Sequence, residues 1–361
     1  MNERDIIIWL TSLRGVGPQT ILFLKQYFGS LDEFWHSSEK DIPLNVLPKR
    51  KRDILRKIYS YKKNSINFDY FEKLEHEGVS VVVNCDDKFP KKLRDIPQSP
   101  CVLYYKGNIQ EVDKSLAIVG PRKASYYGRW AAEKYSREIA KAGVCIVSGL
   151  AKGIDAIAHK GALEANQITY AVLGNGLDRV YPKCNEKLYS QIEESGALIS
   201  EYPLGMEPKA SNFPQRNRII SGLSDAVFVV EAKKKSGTLI TVDYALKQGK
   251  DVLVLPGNVN SLYSQGTNQL IKEGAIMVTE CKDVLENLYG VFDSNPKDCK
   301  LPVLSESEKI VYNLLENGPI HFDAIGYETN FEASKLNSIL TLLEIKGIIM
   351  RLPRNIFQLR N

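Results

Sequence analysis

Residues 209–222 read KASNFPQRNRIISG and lie between two segments of strand character. The segment 197–202 is largely apolar and is followed by a Pro and Gly turn, and 226–230 is an apolar run of strand length. This arrangement predicts a short helix over 213–221 that is entered from a loop at the edge of a sheet. In open α/β sheets, ligands bind beyond the carboxyl ends of the strands, where helix N-termini direct backbone N–H groups outward.

The side chains of this stretch suit phosphates and an unstacked base. Positive charge comes from Lys209, Arg216 and Arg218. Asn217 adds neutral hydrogen-bonding capacity, and Phe213 adds an aromatic face. An alternative interpretation is a solvated basic helix in which Phe213 anchors the core, because charged helix faces are common. The stretch by itself leaves both interpretations open.

Apolar strands alternate with amphipathic helices from Leu116 onward. This alternation indicates an α/β fold, in which a buried parallel sheet is joined by right-handed crossovers. The predicted strands are 116–119, 144–147, 170–173, 197–202, 226–230, 252–255 and 275–278. The predicted helices are 126–141, 154–165, 185–195, 213–221, 239–247 and 268–273.

Four loops that follow these strands contain small residues, which let a backbone approach an anion closely. They are 120–122 (GPR), 148–153 (SGLAKG), 174–176 (GNG) and 236–238 (SGT). Arg122 and Lys152 add positive charge to the first two loops. The sequence therefore predicts an extended anion site that the four loops form together with residues 209–218.

The N-terminal part, residues 1–67, is predicted to be a helical domain. Two apolar helices within 5–28 flank the turn GVGP at 15–18, where glycine permits a sharp turn and proline suits a first helical position. The pattern fits either a SAM-like helix-hairpin-helix, whose glycine turn presents N–H groups to a nucleic-acid phosphate, or a plain αα-hairpin. Residues 68–290 form the next predicted domain, with strands at 79–83 and 101–105 as an extension of its sheet.

Residues 291–302 are predicted to be a linker, and 303–361 a winged helix of three helices and a closing hairpin around 353–355. The segment 303–361 carries six Lys and Arg against seven Asp and Glu. Winged helices usually grip DNA with a basic recognition helix. The slight excess of acidic over basic residues in this segment therefore favours a protein-contact or accessory role over independent binding of duplex DNA.

The composition is that of a globular protein with a substantial core: 361 residues, 43% hydrophobic, 25% charged, with a net charge of +5. No apolar run approaches the roughly 18–20 residues of a transmembrane helix, and acidic residues interrupt the start of the chain, so we expect neither a membrane segment nor a signal peptide. The six cysteines form no C-x-x-C pair and no metal-ligand spacing, which favours a reducing cytoplasm and no bound metal.

Two nucleotide-binding motifs are missing from the sequence. There is no G-x-G-x-x-G, because Gly174-x-Gly176 lacks its third glycine, and there is no G-x-x-x-x-G-K-[ST]. A nicotinamide enzyme and a P-loop ATPase are thereby disfavoured. Asp155 and His159 stand four residues apart on one predicted helix face. They form either an acid/base pair or a structural hydrogen bond that fixes the preceding loop.

In this order and spacing, the motifs resemble the DNA-processing protein A (DprA/Smf) family over about residues 95–290. The matching segments are 120–122, 148–155 with His159, 176–182, 213–220, 236–241, 255–257 and 266–268. The resemblance implies a Rossmann-like core that binds single-stranded DNA without hydrolysing it, uses no cofactor and forms a homodimer. It also implies a partner, the RecA recombinase, which is loaded onto incoming single strands during natural transformation.

By the family's pattern, Arg122 is the first-loop arginine, and Lys209 and Phe213 are the lysine and the aromatic residue before Arg-Asn-Arg. Pro121 departs from the pattern, in which Ser or Thr is more frequent, and so removes a hydroxyl and an N–H from the first loop. The predicted DNA-binding residues are Arg122, Lys152, Lys209, Asn212, Phe213, Arg216, Asn217, Arg218, Ser236, Gly237 and Thr238.

An enzymatic alternative comes from the lysine-decarboxylase-like phosphoribohydrolases, which carry a G-G-x-G-T loop followed by a catalytic Glu. The matching run here, SGTLIT at 236–241, has apolar or hydroxyl residues where that carboxylate should be. Without this group a hydrolase loses its proton-transfer residue, so we expect no enzyme. Nucleotide binding by a sensing domain stays open as an alternative.

Overall fold

The computed structural model describes residues 1–13, 15–42, 47–63, 69–290, 304–316, 318–346, 348–352 and 355–359. The chain divides into two compact units, 1–292 and 293–361. The predicted linker and the predicted boundary after residue 67 lie outside the described residues. Within the described ranges, none of the helices combines the length and the apolar composition that a bilayer crossing requires.

Among the described residues, five α-helices precede the first strand of the first unit, and their apolar faces are buried. In α1 (Glu3–Ser12), the side chain of Asn2 caps the helix by accepting a hydrogen bond of 2.8 Å from the N–H of Asp5. Helix α2 (Pro18–Phe28) begins with a proline, which leaves no unpaired N–H there. The other three are α3 (Leu31–His36), α4 (Lys49–Lys63) and α5 (Asp69–His76).

A sheet of nine strands forms the centre of the first unit. The strands are β1 (Ser80–Val83), β2 (Val102–Gly107), β3 (Ser115–Val119), β4 (Cys145–Ser148), β5 (Thr169–Leu173), β6 (Ala197–Ser200), β7 (Ala226–Val229), β8 (Asp251–Val254) and β9 (Ile276–Met277). Their order is β1-β2-β6-β5-β4-β3-β7-β8-β9. Strands β3 to β9 run parallel, and β1 and β2 add an antiparallel edge.

Helices cover both faces of this sheet, which is why its parallel strands are apolar throughout. All side chains of β3 and β4 are buried, for example. The helices are α6 (Lys91–Arg94), α7 (Tyr126–Lys141), α8 (Ile154–Glu164), α9 (Glu186–Ser195), α10 (Asn212–Gly222), α11 (Gly237–Lys247), α12 (Gln265–Lys272) and α13 (Cys281–Tyr289).

The strand order reverses between β3 and β7. After β3 the chain adds β4, β5 and β6 on one side, then returns to the other side of β3 with β7. The two strands are in register from Leu116 opposite Ala226 to Val119 opposite Val229. Their carboxyl ends therefore open onto a crevice, which is where ligands bind in sheets of this kind.

The N-terminal helices pack directly on the antiparallel edge of the sheet. The hydroxyl of Thr11 on α1 lies 3.0 Å from the hydroxyl of Tyr104 on β2. Arg4 donates a hydrogen bond of 3.0 Å to the carbonyl of Val81 on β1. The described helices among residues 1–63 therefore share a core with the sheet inside one compact unit.

In its described part, the second unit has three helices and a three-stranded antiparallel sheet, so the predicted winged helix is confirmed. Ser305 and Glu308 form a capping box at the start of its first helix, and Glu308 also pairs with Lys346 at 2.6 Å. Residues 353 and 354 of the predicted hairpin turn lie outside the described residues. Its elements are α14 (Glu306–Leu315), β10 (Ile320–His321), α15 (Phe322–Thr329), α16 (Ala333–Ile345), β11 (Ile349–Leu352) and β12 (Ile356–Leu359).

The α/β fold with a mostly parallel sheet is confirmed, and one difference lies at its last strand. The sequence predicts a strand over 275–278, whereas β9 has only two residues and both side chains are exposed. Only Leu253 and Val254 pair with it, because β9 is an edge strand with a single neighbour. The apolar run there is a poor guide to strand length, since its two middle side chains, Ile276 and Met277, are exposed although Val278 is buried.

Candidate functional site

A cavity of about 380 Å³ opens at the switch point between β3 and β7. Loops after β3, β4 and β7 and the first turns of α10 and α11 surround it, as predicted for three of the four loops. The fourth predicted loop, 174–176 after β5, contributes no residue to the lining. Its lining includes Gly120, Arg122, Asp155, Phe213, Arg216, Asn217, Ser236, Gly237, Thr238 and Thr241. Most of the residues that sequence reasoning selected therefore come together at one edge of the sheet.

The first loop, residues 120–125, is held from two sides. Gly153 has a φ of +83°, and a side chain there would lie 2.6 Å from the carbonyl oxygen of Arg122 and closer still to that of Pro121. On the other side, the backbone N–H of Ser125 donates a hydrogen bond of 3.0 Å to Glu231, and its hydroxyl donates a second. The loop that presents Arg122 is thus fixed by its neighbours and not by its own sequence alone.

Phe213 sits half-buried at the start of α10, among cations and another ring. The guanidinium carbon of Arg122 lies 5.4 Å from the centre of its ring, and that of Arg216 lies 5.9 Å away. The ring of Tyr181 packs at 5.5 Å with an interplanar angle of 33°. Gly174 permits this packing, because a Cβ there would lie 2.9 Å from the Phe213 ring. The ring keeps an open part that faces the cavity.

The prediction placed Arg216 at the exposed rim of the site. In the structure Arg216 is only 4% exposed, so it does not lie there. Its guanidinium donates hydrogen bonds to the carbonyls of Val172 and Gly149, the latter at 2.8 Å. A side chain at Gly149 would lie 2.6 Å from the same guanidinium, so glycine makes room for it. Burial lowers the pKa of Arg216 to about 10, against the effect of Asp155, and the group stays charged at neutral pH. Arg216 therefore acts as a fixed cation beneath Phe213.

Asp155 lines the cavity from the start of α8. Burial raises the pKa of this carboxyl group. The charge on Arg216 and hydrogen bonds from the backbone of Ala151 and Gly149 oppose the rise. Asp155 and Arg216 thus lie near enough below the rim to influence each other's pKa, with the guanidinium held by carbonyls and the carboxyl group by backbone N–H groups.

His159 is buried one turn further along α8 and pairs with a strand instead of with Asp155. Its Nδ1 lies 2.7 Å from the hydroxyl of Thr169, which itself donates to the carbonyl of Ile146. The Nδ1 of His159 must therefore carry the proton and donate it, since the Thr169 hydroxyl has already used its only hydrogen. Burial lowers the pKa of His159 to about 3. Asp155 and His159 therefore do not form an acid/base pair, because His159 is a neutral link between α8 and the sheet. The structural interpretation fits Asp155, whose carboxyl group accepts hydrogen bonds from the backbone of Gly149 and Ala151 in the preceding loop.

Arg218 is also removed from the predicted contact surface. It is 4% exposed, and its Nη2 lies 2.6 Å from Oε1 of Glu201. Burial raises the pKa of Glu201, and Arg218 opposes the rise. Residues two apart on a helix point to different sides, so Arg216 and Arg218 cannot both face the crevice that Phe213 opens onto. Arg218 instead joins α10 to the segment after β6.

The two asparagines of the motif also have internal partners. The side chain of Asn212 donates a hydrogen bond of 2.9 Å to the carbonyl of Gly174, which ties the start of α10 to the loop after β5. The side chain oxygen of Asn217 accepts one of 3.2 Å from Nε of Arg216. Asn212 is buried, whereas Asn217 is half-buried and lines the cavity. Of the two, Asn217 is the one placed to meet a ligand.

Three predicted cations remain exposed around the opening: Arg122, Lys152 and Lys209. None of the three forms an ion pair with any residue that the structure describes. Sequence reasoning missed three further exposed lysines, Lys233, Lys234 and Lys235, which follow β7 at the same edge. The sequence offered a signal for them, because three consecutive lysines begin four residues after the end of β7. Glu231 was missed as well, although it is a single acidic residue two positions after that strand.

The first turn of α11 completes the lining. The hydroxyl of Ser236 caps it by accepting a hydrogen bond of 3.2 Å from the N–H of Thr238 and donates to the hydroxyl of Thr238 at 3.0 Å. Gly237 has open space where a Cβ would be, so an anion can come close to the backbone there. Together with the exposed cations, this helix start makes the cavity attractive to a phosphate.

The family of the chain follows from comparison with known proteins. A family model described as DNA recombination-mediator protein A matches residues 80–289, which span the whole sheet and every loop of the cavity. The chain belongs to the DNA recombination-mediator protein A family. A second model of the same family, described as the DprA winged helix domain, matches residues 295–354.

Relatives support this assignment to the DNA recombination-mediator protein A family along most of the chain. Protein Smf from Synechocystis sp. is 38% identical over 299 residues, which are 81% of this chain and 74% of that protein. The DNA processing protein DprA from Streptococcus pneumoniae is 44% identical over 201 residues, which are 55% of this chain and 71% of that protein. The family resemblance that the motifs indicate is therefore confirmed.

Two solved structures from the same family are similar to this fold. DNA processing protein A from Streptococcus pneumoniae superposes with a TM-score of 0.66 at 34% identity, covering 80% of this chain and 98% of that one. DNA processing protein A from Helicobacter pylori, whose structure was described for its binding of single-stranded DNA, gives a TM-score of 0.54 at 32% identity. That match covers 58% of this chain and 97% of the Helicobacter pylori chain.

Proposed function

We propose that this protein binds single-stranded DNA at the crevice between β3 and β7. The observation that carries the proposal is the half-buried Phe213 ring, which opens into the cavity 5.4 Å from the guanidinium of the exposed Arg122. A base can stack on such a ring while Arg122 binds the adjoining phosphate, and every base has a face that can stack. The Helicobacter pylori relative, which binds single-stranded DNA, supports the same ligand.

The architecture of the crevice favours a single strand over a duplex. A base in a duplex presents only its edge, because both of its faces are already stacked on neighbours. Phe213 offers a ring face inside a cavity, so its natural ligand is a base that has left the stack. The exposed Arg122, Lys152 and Lys209 lie around that opening, where a flexible backbone can follow them.

We further propose a role in recombination, in which the protein protects incoming single-stranded DNA and helps to load the RecA recombinase during natural transformation. The description of the family as a recombination mediator supports this role. We propose that the protein acts in the cytoplasm as a homodimer and that the winged helix contacts a protein rather than duplex DNA. In this role the core holds DNA and carries out no catalysis.

A binding titration with substitutions at the rim tests the proposed DNA contact. Arg122→Ala or Lys209→Ala is expected to weaken binding of a labelled oligo-dT about tenfold or more, because each removes a charged contact to phosphate. Each substitution should also reduce the slope of log affinity against log salt by about 0.7, the value per phosphate for a single strand. Fluorescence anisotropy at several salt concentrations measures both quantities.

Lys141→Ala is the matched control for this titration, because Lys141 is an exposed cation at the far end of α7. It should leave affinity and salt slope unchanged. Equal salt slopes in the wild type and all three variants would show that phosphates do not contact the rim, and the proposed surface would then be wrong. Phe213→Leu keeps apolar volume but lacks a ring face, and should weaken binding about fivefold or more without changing the slope.

A second candidate function, binding or hydrolysis of a nucleotide, is favoured by Asp155. Among the described residues that line the cavity it is the only carboxylate, and its raised pKa is a feature of general acids. We expect oligo-dT to bind more tightly than any mononucleotide, and no turnover when nucleotides are incubated with the protein and analysed by chromatography. Turnover that disappears in Asp155→Asn would make the hydrolase interpretation correct.

A further inference from the structure

A second aromatic surface lies at the start of α7, outside the crevice. Tyr126, Tyr127 and Trp130 are 79%, 40% and 41% exposed, although the opposite side of the helix is buried in the core. Tyr126 and Trp130 are four residues apart and so lie on one face of the helix. Three large rings exposed within five residues form an apolar patch of the kind that marks a binding site.

These rings are supported in their positions. The hydroxyl of Tyr127 donates a hydrogen bond of 3.0 Å to the carbonyl of Pro256, which fixes its ring. The Trp130 ring stacks on Tyr127 with centroids 6.0 Å apart and an interplanar angle of 28°. The ammonium group of Lys134 lies 5.4 Å from the centre of the Trp130 ring. Trp130 is therefore held at the surface before any ligand arrives, which lowers the entropic cost of binding.

Cations surround the rings. Lys123 and Arg129 are exposed, and neither forms an ion pair with any part of the chain that the structure describes. Lys134 contributes a third positive charge beside Trp130. The core of a protein–protein interface is depleted in charged residues, whereas surfaces for single-stranded nucleic acid combine aromatic platforms with a positive track. The composition of this face therefore fits nucleic acid better than a protein.

The face is continuous with the rim of the crevice. Tyr126 follows Arg122 by four residues, and four residues span at most about 14 Å. A stacked strand rises about 3.4 Å per nucleotide, so this gap corresponds to about four nucleotides. Ser125 starts α7 and is anchored to Glu231 at the end of β7, so the helix start has a fixed position relative to the cavity.

We propose that Tyr126 and Trp130 form a second stacking platform, on which a single strand continues after it leaves Phe213. Tyr127 is a positioning residue that holds the Trp130 ring, and Lys123, Arg129 and Lys134 bind the phosphates alongside. This inference rests on the proposed binding of single-stranded DNA in the crevice. It adds a minimum strand length, since a short strand fills the crevice and only a longer one reaches α7.

Intrinsic fluorescence of the full chain tests the platform directly. The protein has three tryptophans, and the other two, Trp9 and Trp35, contact each other in the N-terminal helices with centroids 5.2 Å apart. Oligo-dT strands of about 4 to 16 nucleotides cover the usual range of site sizes. We expect short strands to bind without changing tryptophan emission, and strands above a threshold length to quench it. Trp130→Phe should remove the quenching and keep the affinity, because phenylalanine also stacks.

Affinity provides a second, independent measurement. The double substitution of Tyr126→Ala with Trp130→Ala should weaken binding of long strands about 25-fold or more, because each lost stacking contact costs about fivefold at least. Binding of the shortest strands should not change. Tyr327→Ala, which removes an 85% exposed ring in the second unit, is the control. It should change the affinity for neither the long nor the short strands.

The outcomes separate this proposal from the one it rests on. If the wild-type protein binds no strand of any length, the proposed binding in the crevice is wrong, and the proposed platform, which depends on it, is wrong as well. If strands bind and Arg122→Ala weakens them, but the double variant binds every length like wild type, only the platform is wrong. If the double variant lost the same fraction of its affinity for strands of every length, the rings would be part of the crevice site, and a separate platform would be excluded. A change in sedimentation with unchanged DNA affinity would identify the face as a protein contact and overturn the proposal.

Discussion

Gly153→Ala is expected to lower the affinity for single-stranded DNA at least as much as removal of Arg122 itself, although Gly153 does not line the cavity. Gly153 has φ +83° and ψ −129°, a conformation that L side chains rarely adopt, and strain of this kind costs about 1–3 kcal/mol. A methyl group there would also collide with the carbonyl oxygens of Pro121 and Arg122. These are backbone atoms, so the whole first loop must move, and Arg122 must move away from Phe213 with it.

Gly143→Ala is the matched control for this prediction. Gly143 has a φ of +88°, and a Cβ at this position would meet no atom within 4 Å, so it shares the strain but not the collision. Chemical denaturation should show both variants destabilised, Gly153→Ala more strongly, and anisotropy should show weakened DNA binding only in Gly153→Ala. Equal DNA affinity in the two variants would mean that the first loop does not need its contact with Gly153.

Arg218→Met is expected to lower the free energy of unfolding by about 3–5 kcal/mol at neutral pH, the usual cost of leaving one member of a buried ion pair alone. The two side chains of the pair, Arg218 and Glu201, are 5% and 12% exposed, so water screens the charge of Glu201 poorly after the substitution. Denaturation with urea, followed by circular dichroism, measures the change. A loss below about 1 kcal/mol would mean that water reaches Glu201, as it does in surface ion pairs.

The loss should depend on pH in a defined direction. Burial already raises the pKa of Glu201 in the folded protein, and Arg218 opposes this, so removing Arg218 raises it further. Between the ordinary pKa of a glutamate, about 4.3, and the raised value, the folded state binds more protons than the unfolded state. Stability of the variant therefore falls as pH rises through this window, and the difference from wild type should be smallest at its acidic end.

Glu201→Gln combined with Arg218→Met is the rescue variant. Without either charge, no uncompensated ion remains buried, and much of the lost stability should return and no longer depend on pH in this window. The same variants also test whether Arg218 contacts DNA. When they are folded they should bind single-stranded DNA like wild type, unlike Arg122→Ala. A lower affinity for DNA at unchanged stability would show that Arg218 is part of the DNA-binding surface.

The sheet could be predicted from the sequence because its strands are buried on both faces. Runs such as Leu116–Val119 and Ala226–Val230 are continuously apolar, which a parallel sheet covered by helices requires and few other structures tolerate. The helix predicted over 126–141 has the same bounds in the structure, helped by the cap at Ser125. The sequence overestimates the length of the edge strand β9. Both side chains of β9 are exposed, so burial does not determine where this strand begins and ends.

The candidate site could be predicted in position but only partly in detail. Loops that follow parallel strands must meet at one edge, so Arg122, Phe213 and Ser236 could be expected to lie near one another, as they do. The sequence does not show which cation of a helix finds an internal partner. Arg216 is held by the carbonyls of Gly149 and Val172, which are distant in the chain, and no local pattern reveals such contacts.

What the sequence by itself determined is the set of elements and the edge at which ligand chemistry collects, because both follow from periodicity and from the direction of parallel strands. Only the tertiary structure decided the role of each charge. Arg122 stays exposed, Arg216 becomes a buried cation below Phe213, and Arg218 pairs with a buried carboxylate. The physical reason is that the energy of a charge depends on the solvent and partners around it, and both are supplied by parts of the chain far away in sequence.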